Sequence, residues 1–261
     1  MIEMLIFGIE DIKHWSNFSG DFNPIHYPEK SESLHNMQQY PVQGMLSLLY
    51  VRQQFAQLFS AFSAEVLNID ALFRQYVYTA LPHQLNIDAK SKTFKLENPC
   101  RKSTLSGNTR VENTVASIED WVIQDNCQKL TITERDIDKK HVIFKHYFPS
   151  VTSVGWFLDA LAFHFVINST SFLNFEHYHF NQLNDYLNRS FTLHTGQGIK
   201  IKKTVVYSTE LLSSPNICIE LNPPLLIKNG PKDYVRIFHY RCLYNENPIF
   251  VSKISIISKM E

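Results

Sequence analysis

Apolar residues recur at helical spacing near the amino end of the chain, at Ile9, Ile12, Trp15 and Phe18, the period of one buried helix face. That helix has to stop at a polar loop, because Asn23 precedes Pro24 and the residue before a proline is pushed out of the helical region. From Met45 onward apolar positions crowd every side, at Leu46, Leu48, Leu49, Val51, Phe55, Leu58, Phe59 and Phe62. A helix that is apolar nearly all round is a buried one. The period then changes to strand-like runs at 71–78, 84–89 and 103–111, parted by turn formers at Leu81-Pro82-His83 and Glu97-Asn98-Pro99. The first half therefore reads as a helix followed by an antiparallel meander.

Between 119 and 140 the pattern weakens and charges gather at 134–140. This places an interdomain linker at 126–140, between a domain at 1–125 and another at 141–261. Beyond it a strand is expected at 142–147, an apolar helix from about 153 to 167, and strands near 199–208, 217–221, 234–244 and 249–258. The second half thus repeats the layout of the first, and the fold class is α+β. Ser150-Val151-Thr152-Ser153-Val154-Gly155, at the mouth of the second helix, is only faintly like the corresponding stretch of the first half.

With 261 residues the chain has room for two domains. Hydrophobic residues at 44% and charged ones at 19% supply an ample core for a soluble protein, and 13% aromatic content suits apolar grooves. A formal net charge of +0 argues against nucleic acid as a partner. Cys100, Cys127, Cys218 and Cys242 are far apart and include no C-x-x-C pair, so no zinc or redox motif is expected. The first eight residues lack a basic segment and a long apolar run, and the most apolar stretch, 154–167, is short for a bilayer and carries Asp159 and His164. A cytoplasmic protein without a membrane anchor is expected.

The chemistry concentrates in Gly20-Asp21-Phe22-Asn23-Pro24-Ile25-His26 and, further on, Pro41-Val42-Gln43-Gly44-Met45. A rigid loop could hold Asp21 and His26 convergent on one water, an arrangement suited to general acid and base work. Alone, such a loop is rich in turn formers and would be structural in most proteins. Joined to His26, to the segment from Pro41 to Gly44 and to a long helix, it points to catalysis. With only 8 glycines in the chain, two at these positions are better explained by a backbone function.

These residues resemble the signature of MaoC-like dehydratases and (R)-specific enoyl-CoA hydratases, G-D-x-N-P-x-H followed by P-x-x-H-G-M at the start of the central helix of a hotdog fold. The match covers Gly20, Asp21, Asn23, Pro24, His26, Pro41, Gly44 and Met45. Gln43 departs from the family's His, and Tyr27-Pro28 stands where an acidic residue commonly follows. The resemblance implies a double hotdog, two hotdog domains each with a long central helix wrapped by a curved antiparallel sheet, joined edge to edge, with one catalytic half. It implies Asp21, His26, Gly44 and Asn23 as catalytic residues, Gln43, Met45 and Pro41 as substrate contacts, and no metal or redox cofactor.

The implied reaction is hydration of a trans-2-enoyl thioester, or dehydration of an (R)-3-hydroxyacyl thioester, in fatty acid or polyketide metabolism. Acyl-CoA or acyl carrier protein is the expected partner, and the protein itself a monomeric double hotdog or a homodimer of it. A hotdog thioesterase and a non-catalytic acyl-binding subunit are the alternatives. Other features read more plainly. His177 and His179 alternate on a strand without a third ligand nearby, Lys200, Lys202 and Lys203 fit a solvated strand better than a phosphate site, and Trp156, Phe157, Phe163 and Phe165 are most simply core, though the resemblance allows their helix to line the acyl tunnel between the halves.

Overall fold

The computed structural model describes residues 2–27, 39–60, 63–208 and 216–261. Pro28 and Phe62, and the side chain of Phe59, lie outside the described residues.

The first repeat runs β1 (Ile2–Ile6), α1 (Ile9–Ser19), α2 (Gly44–Phe59), β2 (Val66–Phe73), β3 (Pro82–Asp88), β4 (Thr93–Glu97) and β5 (Ser103–Glu112). A short helix, α3 (Ala116–Glu119), leads to the second, which runs β6 (Gln128–Ile132), α4 (Glu134–Tyr147) and α5 (Val154–Ile167). An insert follows, made of α6 (Thr170–Leu173), the hairpin β7 (Asn174–Phe175) and β8 (Tyr178–His179), and α7 (Leu183–Asn188). The chain closes with β9 (Ser190–Lys202), α8 (Lys203–Tyr207), β10 (Ile217–Leu221), β11 (Leu225–Lys228), β12 (Asp233–Tyr244) and β13 (Asn247–Met260).

Apart from the β7–β8 hairpin, the described strands form one antiparallel sheet in the order β1-β3-β4-β5-β2-β9-β13-β12-β10-β6, with β11 beside β12. Inward from either end the order is the same if β1 is matched with β6, β3 with β10, β4 with β12, β5 with β13 and β2 with β9. The two half-sheets therefore meet along β2 and β9, from Val66 opposite Lys202 to Leu72 opposite Gly196. Each half has its own long helix, α2 or α5, whose apolar residues are buried on all sides. Two helices, each wrapped by half of one edge-to-edge sheet, make a double hotdog.

The two central helices are tied through a buried ion pair. Arg52 of α2 donates to the Asp159 carboxylate of α5, both side chains being almost wholly inaccessible to water, and Gln197 of β9 donates to the same carboxylate at 3.4 Å. Near one end of the pair, Gln53 Nε2 donates to Thr152 Oγ1 at 3.1 Å and Gln53 Oε1 accepts from Ser153 N–H at 3.4 Å.

Residues 126–140 are not a linker. They hold β6, which pairs with β10 at the sheet edge, and the first half of α4. Thr133 caps that helix by accepting from Asp136 N–H at 3.2 Å. The charges at 134–139 line its wet face, while Lys140 turns inward to Phe18, and Ile137 and Phe144, seven residues apart, are buried against the core. The expected strand at 142–147 is the end of the same helix, with Val142 70% exposed on its outer side. The segment 203–207, expected as strand, is helix α8, and the first strand after α2 begins at Val66 and ends at Phe73 rather than running 71–78.

Removing one partner of the Arg52–Asp159 pair leaves an uncompensated charge in the core, which typically costs about 3–5 kcal/mol. Asp159→Ala is expected to lower stability by that order in urea unfolding, and Arg52→Met with Asp159→Leu to recover most of the loss.

Candidate active site

The catalytic-type loop is built by local constraints. Gly20 ends α1 in the left-handed conformation at φ 84°, its N–H donating to Ser16 O at 2.7 Å, a geometry glycine adopts without strain. Ser16 Oγ then donates to Asp21 O at 2.6 Å and Asp21 N–H to Ser19 Oγ at 3.1 Å. Pro24 opens a single 3₁₀ turn over Pro24–His26, and Asn23 caps it by accepting from Ile25 N–H at 3.3 Å. The other end of the Asn23 amide donates to Thr192 O at 2.8 Å, on β9 of the second repeat.

Three more contacts fasten this loop. His164 Nδ1–H of α5 donates to Ser19 O at 2.6 Å, Lys140 of α4 donates to Phe18 O, and His26 Nδ1–H donates to Pro41 O at 2.7 Å. The last bond fixes the tautomer of His26, so that Nε2 is its unprotonated nitrogen. Asp21 Oδ1 accepts from Asn23 N–H at 3.3 Å.

Asp21, Asn23, His26, Gly44 and Met45 all line one pocket at the junction of the repeats. Burial pushes the Asp21 carboxyl up, against the pull of His26 and of the Asn23 N–H. Burial pushes the His26 imidazole down, against Asp21 and the Pro41 carbonyl. The two groups thus favour their neutral forms more than they would in water, and each acts on the other's charge. Gly44 begins α2, where the first N–H groups have no acceptor within the helix. A Cβ added to Gly44 would come 3.0 Å from Phe73 Cζ and 3.3 Å from His194 Nδ1, so the backbone there is reached closely from both sides.

Pro41 and Gln43, expected as substrate contacts, do not line the pocket. Pro41 serves through its carbonyl, which holds His26. The Gln43 side chain is turned the other way, its Nε2 donating to Ile12 O at 3.3 Å and to Ser16 Oγ at 3.0 Å, and so ties the start of α2 to α1.

Sequence reasoning missed the groups that come from the second repeat. His194 of β9 lines the pocket beside Gly44, its ring 4.8 Å from Phe73 and stacked with Phe163 at 6.0 Å. Its Nε2–H donates to Gly196 O at 3.0 Å, and its buried Nδ1 is left as an acceptor with no partner among the described residues. Burial pushes this imidazole down to about 3, so it is neutral. Thr192 and Phe163 also reach the pocket. Nothing local in the sequence marks His194 and Thr192, because they enter only through the pairing of β9 with β2, whereas Phe163 comes from α5.

The second repeat has no equivalent pocket at its own helix mouth among the described residues. A Cβ on Gly155 would come 2.9 Å from both Ile201 Cδ1 and Val206 Cα, so side chains of β9 and α8 fill the space. Lys200 and Lys202 are paired with Glu112 at 3.3 Å and Glu119 at 3.1 Å, away from the pocket. Trp156 and Phe157 are core. His177 stacks on Tyr178 with its Nδ1 3.8 Å from Glu176, and among the described residues no group of three His, Cys, Asp or Glu side chains could hold a metal ion. Among those residues no helix is long and apolar enough to cross a membrane.

No family model and no curated protein matches the chain. Solved structures do resemble it in outline. A MaoC domain protein dehydratase from Chloroflexus aurantiacus J-10-fl is 10% identical over 99% of this chain and 93% of its own, with a TM-score of 0.48. A MaoC-like dehydratase is 8% identical over 98% and 97%, with a TM-score of 0.49. An oleoyl thioesterase from Lactobacillus plantarum is 7% identical over 99% and 94%, with a TM-score of 0.45. At these identities the likeness concerns the path of the chain and says nothing of the reaction.

Proposed function

We propose that this pocket adds water across the double bond of a trans-2-enoyl thioester and, in reverse, dehydrates a 3-hydroxyacyl thioester. The observation that carries the reading is the meeting of half-buried Asp21 and buried His26 in one pocket with the amino end of α2 at Gly44.

In hydration, His26 Nε2 takes a proton from water as the oxygen bonds to C3. The Asp21 carboxylate accepts the remaining O–H, orients the water and favours the imidazolium by its charge. The electron pair of the double bond moves toward the thioester oxygen, where the Gly44 N–H and the dipole of α2 favour the developing negative charge. The imidazolium then returns its proton to C2, so one O–H bond and the C2=C3 π bond are exchanged for a C–O and a C–H bond. Dehydration runs the same steps backward. No metal or redox cofactor is needed, and the thioester carrier is acyl-CoA or an acyl carrier protein. Asn23 acts at one remove, holding the loop to Thr192.

Incubation with crotonyl-CoA tests the reading. Loss of enone absorbance without release of thiol is the expected result. Release of free CoA would mean a thioesterase, and neither change a binding protein. Asp21→Asn and His26→Gln are each expected to lower kcat by about 10² or more, in line with the usual worth of a general acid or base, and the double variant to be little worse than the worse single one. A loss under about ten-fold for either would remove that residue from the pair.

The pH profile follows from the direction of the shift. His26 must be unprotonated to act as base, and its pKa lies below 6.5. Activity is therefore retained as pH falls through 6.5 and is lost only below it, with the apparent value belonging to the coupled pair. An acidic limb of kcat/KM at or above pH 6.5 would contradict the burial of this imidazole.

A further inference from the structure

The two repeats differ most in what joins the central helix to the first strand of the meander. In the first, α2 ends at Phe59 and β2 begins at Val66; in the second, α5 ends at Ile167 and β9 begins only at Ser190. The extra length is the insert of α6, the β7–β8 hairpin and α7, and it sends Phe172, Leu183 and Leu187 into the wall of the pocket.

This wall is clamped. Arg236 of β12 is wholly buried, and no ion pair among the described residues includes it. Its guanidinium lies 4.2 Å from the centre of the Phe175 ring, 4.8 Å from Phe172 and 5.1 Å from Tyr186, all three supplied by the insert. Nη1 donates to Phe172 O at 2.6 Å and Nη2 to Tyr186 Oη at 2.7 Å, and Tyr186 Oη is bonded in turn to Thr192 Oγ1 and Ser258 Oγ at 2.7 and 2.6 Å. Moving the insert off the sheet would break these hydrogen bonds and cation–π contacts together, and so they hold its aromatic residues against β12.

The pocket has a direction. Phe73, Gln75, Tyr76, Leu193 and His194 line both it and a neighbouring open groove that also holds Arg74 and Tyr78, so this side is the mouth. Asp21, His26, Gly44, the insert residues and Ile167 line the pocket but not the groove, and the insert residues with Ile167 give it an apolar wall. The cavity is about 90 Å³. An engineered apolar cavity of roughly 150 Å³ takes one benzene, so this is a small space for an acyl chain.

We propose that the Arg236-clamped insert is a rigid floor, made by Phe172, Leu183 and Leu187, that restricts this site to short-chain acyl thioesters. This rests on the thioester reading above. It makes chain length a property of a segment that the catalytic repeat lacks.

The test is a chain-length series in two readouts: kcat/KM for trans-2-enoyl-CoA of four, eight and twelve carbons, and calorimetric Kd for the saturated acyl-CoAs of the same lengths. Wild type is expected to favour four carbons over twelve by at least about ten-fold in both. Leu187→Ala is expected to move the preference toward eight carbons by about ten-fold, and Leu187→Val, a smaller excision for the case that the first does not fold, to move it part of the way. Equal handling of four and twelve carbons by wild type, or a series unmoved in folded variants, overturns the proposal. If butyryl-CoA binds in preference to lauroyl-CoA but nothing is hydrated, the hydratase reading fails and the floor stands. If no acyl-CoA binds, both fall.

Discussion

The register of one strand pair organises this molecule. β2 and β9 are matched only from Val66–Lys202 to Leu72–Gly196, yet β9 begins at Ser190. Its first six residues therefore run past the end of β2 and over the loop that follows α1. That overhang delivers the Thr192 carbonyl to Asn23 and the His194 ring to Gly44. A slip of one residue would turn every side chain to the opposite face and take His194 out of the pocket. The buried Arg52–Asp159 pair and the Gln197 amide hold the helices on either side of this seam.

The seam also shows how a repeat with no such loop of its own supports the loop of the other. The loop that carries Asp21 and His26 is fastened by Lys140, His164 and Thr192, all from the second repeat. In exchange, the second repeat has filled its own helix mouth with Ile201 and Val206. One half has kept the polar groups and the other supplies the struts, part of the pocket wall and the floor. Two near-equal repeats have thus become one site with two unlike sides.

Much of this was legible in the sequence where the cause is local. The end of α1 before Pro24 and the start of α2 at Gly44 follow from residues within a few positions of one another, and the strands at 217–221 and 234–244 follow from continuous β-rich runs. The stretch 134–140 misled because charge was read along the chain rather than around a helix, where Ile137 and Phe144 share the buried side. Gln43 differs in another way: its place beside Gly44 suggested contact with substrate, but its amide donates instead to the carbonyl of Ile12 and the hydroxyl of Ser16 on α1. His194, Thr192 and the insert had no local mark at all, since their roles depend on a strand pairing more than a hundred residues apart in sequence.

The central claim is that water is added to carbon and not to the thioester carbonyl. The direct measurement is reaction with crotonyl-CoA in water enriched in oxygen-18, followed by mass spectrometry of the products. The account predicts one heavy oxygen in the C3 hydroxyl of an intact 3-hydroxyacyl-CoA, and none with Asp21→Asn. Heavy oxygen in a free carboxylate with release of CoA, or no incorporation by the folded wild type, would contradict it.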